Sequence, residues 1–364
     1  MQILKYMAEH GHERLYFFTD AGSGLRAMIG IHDTTLGPAL GGARMYPYAS
    51  DEDAILDVLR LSESMSYKAA MANLPLGGGK CVIIGDPRTD KSPELFRALG
   101  RAVDELGGRY ITAEDVGTTV KDLVYTSEVT DFVAGLPVAM GGGGDPSPWT
   151  ALGVLRGMEA CALECWETPR LAGRRVAIQG IGKVGYALAE LLHARGAELV
   201  VSDVNERALE QAQTEMNVTV VPLDEIYAVE CDIFAPCALG AILNDETIPQ
   251  LKCEIIAGSA NNQLKQPRHG GMLLERGILY APDYVVNAGG LINVAAELEP
   301  HGYDEEIAHE RVLAIQDNVA RVIQRARAEG VPTSVAADRE ARHRLAEAKA
   351  GNGARKPRAV PIVE

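Results

Sequence analysis

The chain has 364 residues, of which 47% are hydrophobic and 23% are charged, a composition typical of a soluble globular protein with two domains. Its formal net charge of −15 at pH 7 argues against nucleic acid and anionic membrane surfaces as partners, because both would repel it. We see no signal-peptide pattern, no run of about 18 apolar residues and no CxxC pair, so we expect a cytoplasmic protein without a membrane span or a metal site.

Helices and strands alternate in the first half of the chain. A helix is predicted over residues 51–72 because its apolar residues recur at helical spacing, and Lys68 continues that apolar face. Gly77-Gly78-Gly79 is then predicted as a tight, mobile loop. Further elements are predicted as a strand at 81–84, a helix at 92–106 and a strand at 109–113. This alternation is typical of an α/β domain.

A segment rich in glycine and proline, residues 137–150, is predicted to be the hinge between two domains. After a helix over residues 149–166, short apolar strands are separated by helical stretches, which predicts a parallel sheet. These strands are expected at residues 175–180, 199–203, 219–221, 231–235, 254–258 and 278–281. Two amphipathic helices are expected later in the chain, over residues 303–328 and 332–349.

A GxGxxG pattern follows the first strand of this second half and opens a helix. Gly180 would permit a tight turn, Gly182 would let the backbone approach a pyrophosphate, and Gly185 would let helix and strand pack closely. Asp203 follows the next strand, where its carboxylate would bind the adenosine ribose and repel a 2′-phosphate. The pattern therefore predicts a dinucleotide-binding domain that favours NAD over NADP.

Two lysines and an aspartate stand out in the first half. Lys68 continues an apolar helix face, where an ammonium group is costly to bury unless it meets an anion. Lys80 lies between three glycines and a buried strand, and Asp115 follows a strand at the edge where α/β sheets place ligands. Singly, these could be a lysine that reaches solvent, a loop residue and a helix-capping aspartate. Together they supply a cation for a carboxylate, an amine that acts as a general base and a carboxylate that carries a proton, which is what oxidative deamination of an amino acid requires.

Five segments of the sequence are similar to those of one enzyme family. They are Leu36-Gly-Pro-Ala-Leu-Gly-Gly-Ala-Arg44, Ser66-Tyr-Lys68, Leu76-Gly-Gly-Gly-Lys80, Arg109-Tyr-Ile-Thr-Ala-Glu-Asp115 and Tyr284-Val-Val-Asn287-Ala-Gly-Gly290. On these segments, the chain resembles the glutamate/leucine/phenylalanine/valine dehydrogenase superfamily over residues 1–349, and within it the leucine and valine dehydrogenases.

The resemblance implies an α/β fold with two domains separated by a cleft that closes on the substrate. A mixed α/β catalytic and oligomerisation domain would take residues 1–147, with residues 331–349 returning to it, and a Rossmann-like NAD-binding domain would take residues 148–330. Residues 350–364 have no clear counterpart and are predicted to be a disordered tail, since several of them are Gly, Pro and Arg. A homo-oligomer is also implied, with an octamer as one candidate size.

The resemblance also assigns roles to individual residues. Lys68 would bind the substrate carboxylate together with a backbone N–H of Gly41 or Gly42, Lys80 would be the catalytic lysine, and Asp115 would carry the amino-group proton. The substrate side chain would meet Leu40, Met65, Ala113, Leu291 and Val294, and Asn262 would help to hold the substrate and the nicotinamide over one another. NAD would be held by Thr150, Gly180, Gly182, Lys183, Val184, Gly185, Asp203, Cys237, Ala238, Ala260, Asn262 and Asn287.

The implied reaction is the reversible NAD-dependent deamination of an apolar L-amino acid to its 2-oxo acid and ammonia. Leu291 stands where leucine dehydrogenases commonly have valine and where relatives that use aromatic substrates have leucine. Those relatives often have glycine at the position of Ala113, which makes the pocket for the substrate side chain deeper than it would be in this chain. We therefore expect leucine, valine and isoleucine as substrates, with phenylalanine or tryptophan as the alternative. Lys183 replaces the usual asparagine beside the pyrophosphate.

Two other functions are less consistent with the sequence. A 2-hydroxy acid dehydrogenase would need a His–Asp pair, but no histidine stands beside a candidate acid, and His32 and His193 are predicted to be structural. A non-catalytic NAD-binding regulator would be expected to have lost Lys68, Lys80 or Asp115, and all three are present.

Overall fold

The computed structural model describes residues 2–352, within which the chain forms two compact units. The first unit runs to Gly144 and is rejoined by Val294–Asp304 and by the chain from Ala341 onward, and the second comprises Asp145–Asn293 and Glu305–Glu340. The tail predicted to be disordered begins inside a helix that extends to Asn352, so residues 350–352 are helical, and residues 353–364 lie outside the described residues. Across residues 2–352, no helix combines the length and the apolar character that crossing a membrane requires.

The first unit is built on a mixed sheet. Its strands are β1 (Arg14–Asp20), β2 (Leu25–Asp33), β3 (Ala39–Tyr46), β4 (Gly77–Ile84) and β5 (Tyr110–Glu114). They lie in the order β1-β2-β4-β3-β5, in which β2 is antiparallel to β1 and β4 whereas β3 is parallel to β4 and β5. The helices of its first 144 residues are α1 (Ile3–His10), α2 (Asp51–Met71), α3 (Pro93–Asp104) and α4 (Val120–Ser127).

The two faces of this sheet have different partners. Successive residues of a strand point to opposite faces, so Ile29 of β2 packs in a core with α3 while the adjacent Met28 packs in a core with α2. On β4, Cys81 belongs to the α3 core and Val82 to the α2 core. Lys80 shares the parity of Val82, and it therefore lies on the α2 face.

The three glycines before Lys80 do not form the mobile loop that the sequence predicted. They are the first residues of β4, are buried, and pair with β2 and β3. A Cβ atom on Gly78 would lie 2.1 Å from the backbone nitrogen of Ser66 on α2, and one on Gly79 would lie 2.7 Å from the Tyr110 ring. The glycines thus let a helix and a neighbouring ring approach the strand closely, which their turn propensity alone does not reveal.

The second unit is built on a parallel sheet, as expected. Its strands are β6 (Arg175–Gln179), β7 (Glu198–Ser202), β8 (Thr219–Val220), β9 (Ile233–Pro236), β10 (Ile255–Ile256) and β11 (Leu279–Tyr280). The remaining α-helices of the described residues are α5 (Ser147–Trp166), α6 (Lys183–His193), α7 (Glu206–Met216), α8 (Arg268–Glu275), α9 (Asp283–Val286), α10 (Gly289–Ala296), α11 (Glu305–Leu313), α12 (Ile315–Glu329) and α13 (Thr333–Asn352). The helix predicted over residues 303–328 is divided at Ala314, although the bond from Ala314 N–H to the Glu310 carbonyl continues the helical pattern.

The order of strands in this sheet, β11-β10-β9-β6-β7-β8, changes direction between β6 and β9. The chain runs from β6 outward to β8 and then returns to the other side of β6. In open parallel sheets, ligands bind beyond the carboxyl ends of the strands at such a switch point. Gly180 follows β6 and Cys237 follows β9, so the fold brings the glycine turn and the 237–240 loop to that point.

Candidate active site

The α2 face of the first sheet carries the candidate catalytic side chains. On β3, Ala43 and Met45 belong to the α3 core, so Arg44 between them lies on the α2 face. Because β3 lies between β4 and β5, one strand separates Lys80 from Asp115, which follows β5. The site residues that alternation places on this face are Leu40, Gly42, Arg44, Lys80, Ala113 and Asp115.

Lys80 and Asp115 form an ion pair across β3, with 2.7 Å between the Lys80 Nζ and the Asp115 Oδ2. The Lys80 side chain is only 7% exposed. Burial acts to raise the pKa of the Asp115 carboxyl, but the positive charges of Lys80 and Arg44 outweigh it and hold that pKa below its usual value. Asp115 is therefore a carboxylate at neutral pH, in direct contact with a buried amine.

Gly41 and Gly42 are what allow these side chains to meet across β3. A Cβ atom on Gly42 would lie 2.7 Å from the Asp115 Cβ, and one on Gly41 would lie 1.8 Å from the Gly79 carbonyl oxygen. Any larger residue at these positions would push the neighbouring strands or Asp115 away. The predicted site glycines of β3 thus have a clear steric role, in addition to the backbone N–H groups that the family resemblance assigns to them.

Arg44 is the charged residue of this site that the sequence reasoning missed. Its Nε donates to the Asp115 Oδ2 at 3.0 Å, and its Nη1 donates to the Asp57 Oδ2 at 3.1 Å. The Tyr48 hydroxyl donates to the same oxygen of Asp57 at 2.5 Å. The alternation of β3 could have found Arg44, because it lies two residues after Gly42 and so shares its face.

Lys68 and Met65 lie on α2 and are both half-buried. Ser62, Ser66 and Ala69 are buried on this stretch of α2, and at about 100° per residue Lys68 lies to the side of the line that they form, where it is half-buried. Of the other residues assigned to the substrate side chain, Leu40, Ala113 and Val294 are buried, and Leu291 on α10 is half-buried.

In the second unit, the glycine turn after β6 has the geometry that its pattern predicts. Gly180 has a φ of +93°, and a Cβ atom there would lie 2.9 Å from the Ala238 nitrogen. A Cβ atom on Gly185 would lie 2.0 Å from the Gly180 oxygen, whereas one on Gly182 would meet nothing within 4 Å. Lys183 and Val184 then begin α6. Gly180 and Gly185 are thus required by the protein itself, and Gly182 faces open space at a helix N-terminus.

Asp203 joins β7 to this turn. Its Oδ2 accepts the Ile181 N–H at 2.7 Å, and its Oδ1 accepts the Asn205 N–H at 2.8 Å. Each oxygen retains capacity for a further donor, such as a ribose hydroxyl. Lys183 is 77% exposed and its Nζ is 3.6 Å from the Asp145 Oδ2. Lys183 and the glycine turn both line a cavity of about 400 Å³.

Asn287 lies buried near the end of β10, where its side-chain nitrogen forms hydrogen bonds but its side-chain oxygen does not. Its Nδ2 donates to the Ser259 carbonyl at 3.1 Å and to the Asn261 Oδ1 at 2.9 Å. Its Oδ1 is buried and has no hydrogen-bond partner among residues 2–352. The other residues assigned to this region are the buried Ala260, the half-buried Cys237 and Thr150, and the exposed Ala238 and Asn262, the last with a φ of +52°.

Comparison with known proteins gives consistent matches along the chain. The family model described as Glu/Leu/Phe/Val dehydrogenase, dimerisation domain, matches residues 12–131, and the Glutamate/Leucine/Phenylalanine/Valine dehydrogenase model matches residues 201–353. A leucine dehydrogenase from Bacillus cereus is 56% identical over 349 residues, covering 96% of this chain and 95% of that protein. A phenylalanine dehydrogenase from Bacillus thermotolerans is 52% identical, covering 92% of this chain and 88% of that protein.

A solved structure gives the same result for the fold. L-tryptophan dehydrogenase from Nostoc punctiforme superposes with a TM-score of 0.84 at 46% identity, covering 95% of this chain and 99% of that chain. The two-domain α/β architecture predicted from the sequence is thereby confirmed. The chain belongs to the glutamate/leucine/phenylalanine/valine dehydrogenase family and is an amino acid dehydrogenase.

Proposed function

We propose that the protein catalyses the reversible NAD-dependent oxidative deamination of branched-chain L-amino acids to 2-oxo acids and ammonia. The observation that carries this proposal is the contact of 2.7 Å between the buried Lys80 amine and the Asp115 carboxylate. This reaction needs one group that activates water and another that moves a proton at the substrate nitrogen. The two groups are in contact, on a sheet face that also carries apolar residues.

The second unit fits a nicotinamide dinucleotide. Gly182 leaves open space beside the N-terminus of α6, where free N–H groups favour a pyrophosphate. The buried, unpartnered Oδ1 of Asn287 could accept a hydrogen bond from the nicotinamide carboxamide. Asp203 would bind the ribose and disfavour a 2′-phosphate, which supports NAD over NADP. When bound, the nicotinamide supplies the acceptor for the hydride of the substrate α-carbon.

The chain's own residues would perform the remaining steps. Lys68 would hold the substrate carboxylate and so orient the α-carbon. In its neutral form, after it has given up its ammonium proton, Lys80 would take a proton from the water that attacks the imine carbon of the oxidised substrate. Asp115 would accept a proton from the amino group and return it to the departing ammonia. These roles require no metal-bound water, because Lys80 is the base that activates the water.

The residues assigned to the substrate side chain support an aliphatic substrate. They are all apolar: Leu40, Met65, Ala113, Leu291 and Val294. A charged tail would lose its hydration there without a partner, which argues against glutamate and lysine. Leucine and phenylalanine dehydrogenases are nearly equally similar to this chain, at 56% and 52%, so overall identity does not decide between them. The absence of glycine at position 113 favours the branched-chain substrates.

Aromatic specificity is the second candidate, favoured by Leu291, and a substrate panel decides between the two. Specificity constants would be measured for leucine, isoleucine, valine, 2-aminobutyrate, phenylalanine and tryptophan. We expect the first four to exceed the aromatic pair, with small differences among neighbours, because one methylene is worth about 1–3 kcal/mol. A higher specificity constant for phenylalanine than for leucine would favour the aromatic alternative. Leu291→Val would then test whether residue 291 sets the depth of the pocket for the substrate side chain.

We also propose a cytoplasmic homo-oligomer. All six cysteines are free thiols, which suits a reducing compartment. A related family model is described as a dimerisation domain and matches the first unit at residues 12–131. Light scattering on a size-exclusion column would give the mass in solution, and a species of 39.0 kDa would rule out the oligomer.

A further inference from the structure

Two carboxylates and two cations form a connected cluster on the α2 face of the first sheet. Lys80 and Arg44 both donate to the Asp115 Oδ2, at 2.7 and 3.0 Å. Arg44 also reaches Asp57, to which the Tyr48 hydroxyl is bonded. The formal charges of the four ionisable groups cancel, so the cluster brings no net charge into the protein.

Arg44 holds two carboxylates with different nitrogens of one guanidinium. Its Nε faces Asp115 and its Nη1 faces Asp57, and its side chain is 24% exposed. A guanidinium presents its donors in a rigid plane, so fixing one end fixes the direction of the other. A lysine at this position would keep the charge but could not reproduce this geometry. Asp57 and Tyr48 therefore fix the orientation in which Arg44 meets Asp115.

The mechanism asks Asp115 to stay in one place while its proton comes and goes. Its partner Lys80 is itself a reacting group, so the ion pair with Lys80 cannot be the constant restraint. Arg44 stays protonated at every pH at which the enzyme works, and it does not need to exchange protons. It supplies the permanent opposite charge that Asp115 otherwise lacks.

We propose that Arg44 is a positioning residue that keeps the Asp115 carboxylate ionised and directed toward Lys80, and that Asp57 and Tyr48 hold Arg44 in place. The inference rests on the proposed function, in which Asp115 moves the proton at the substrate nitrogen. The groups that face Asp115 are Lys80 from β4 and Arg44 from β3, with Asp57 of α2 behind Arg44. Tyr48 stays neutral, since burial and the neighbouring Asp57 raise its pKa.

The first part of the test measures kcat/KM against pH, and it separates the effect of the Arg44 charge from that of the Arg44 hydrogen-bond geometry. In Arg44→Gln, the acid limb of kcat/KM should move to higher pH by about 1–3 units, the usual effect of one opposite charge near a carboxyl group. The value of kcat should fall roughly 10- to 100-fold, as expected for a misplaced catalytic group. In Arg44→Lys, kcat should fall while the acid limb stays near that of the wild type.

Smaller changes and a matched control complete the kinetic series. Tyr48→Phe and Asp57→Asn should lower kcat less than Arg44→Gln and leave KM for NAD unchanged, since the dinucleotide motif lies in the other unit. Arg88→Gln is the control, because Arg88 is an arginine of the same unit that is 86% exposed and faces Asp86 rather than the cluster, so the change should alter neither kcat nor the profile. An acid limb of Arg44→Gln that coincides with that of the wild type would overturn the proposal.

A second arm does not depend on activity. Thermal unfolding of the wild type, Asp115→Asn, Arg44→Gln and the double variant gives the coupling between the two residues. We expect the double variant to lose less stability than the sum of the two single losses, with a coupling that weakens at acid pH. Additive losses would contradict the contact. If the wild type deaminates no amino acid, the proposed function fails, and this cycle still decides whether Arg44 holds Asp115.

Discussion

The two units build their candidate sites from different parts of the chain. In the second unit the proposed dinucleotide site is largely backbone: a left-handed Gly180, an open Gly182 and a carboxylate that accepts hydrogen bonds from two backbone N–H groups. In the first unit the site is a cluster of charged side chains that come from β3, β4 and the end of β5. A backbone site is specified by a short local motif, whereas a side-chain site depends on the order of strands in the sheet.

The largest effect is expected where the first unit performs chemistry. Lys80→Ala should lower kcat by at least ~10²–10⁴-fold, the contribution of a positioned acid–base group. NAD affinity should stay nearly unchanged, because the residues assigned to it belong largely to the second unit. Initial rates and a fluorescence titration with NAD measure the two quantities. A variant that keeps a rate close to that of the wild type would exclude Lys80 as the base.

The second unit should respond in the opposite way, through cofactor binding. Gly182→Ala should raise the Kd for NAD and leave the melting temperature unchanged, because its Cβ meets no protein atom but enters the space proposed for the pyrophosphate. Gly185→Ala is the matched comparison, and its Cβ would lie 2.0 Å from the Gly180 oxygen. It should destabilise the protein by about 1–3 kcal/mol, as overpacking does. Equal melting temperatures for the two variants would contradict this distinction.

Asp203 tests whether the second unit selects between cofactors. Asp203→Ser should lower kcat/KM with NAD and raise the relative use of NADP, because the carboxylate that repels a 2′-phosphate is gone. Specificity constants for both cofactors measure the ratio. A ratio equal to that of the wild type would mean that Asp203 serves only its two backbone bonds. Asp224→Ser, an exposed acid of the same unit, is the control for loss of charge alone.

The smallest effect concerns how the stability of the protein changes with pH. Replacing a histidine should affect this dependence in the first unit and not in the second. Burial lowers the pKa of His12 and of His32 below the usual 6.5, so the folded protein binds fewer protons than the unfolded chain. Stability from this source is present above about pH 6.5 and is lost as the pH falls below it. His12→Gln should flatten the decrease in melting temperature between about pH 7 and 5, and the exposed His193→Gln should not. Parallel curves of melting temperature against pH for the wild type and the two variants would contradict this prediction.

The sequence predicted the second unit more completely than the first, for a physical reason. The spacing of Gly180, Gly182 and Gly185 encodes the turn directly, because Gly180 takes the left-handed conformation, Gly185 packs against the Gly180 oxygen and Gly182 leaves open space beside the helix N-terminus. The sequence also indicated Lys80 and Asp115 as candidates at strand ends. Their contact could not be predicted, because it requires that β3 lie between β4 and β5, which is a non-local property of the sheet.

Two errors have the same origin. Gly77-Gly78-Gly79 resembled a loop because glycine is common in turns, yet the residues are strand positions made necessary by Ser66 and Tyr110 from elsewhere in the chain. Arg44 was named only as the last residue of a family motif. Its side chain contacts Asp115, which is 71 residues away in the sequence, and Asp57, which is 13 residues away. Long-range packing decides both cases, and no local pattern records it.

The measurement that tests the central claim most directly is the stoichiometry of products formed by the purified protein from leucine and NAD. Formation of reduced nicotinamide would be followed by absorbance, with ammonia and the 2-oxo acid assayed at the end point. The proposed function predicts that all three appear in equal amounts with the wild type and that none appears above background with Lys80→Ala. Absence of ammonia with every aliphatic and aromatic amino acid, with NAD or NADP, would contradict it.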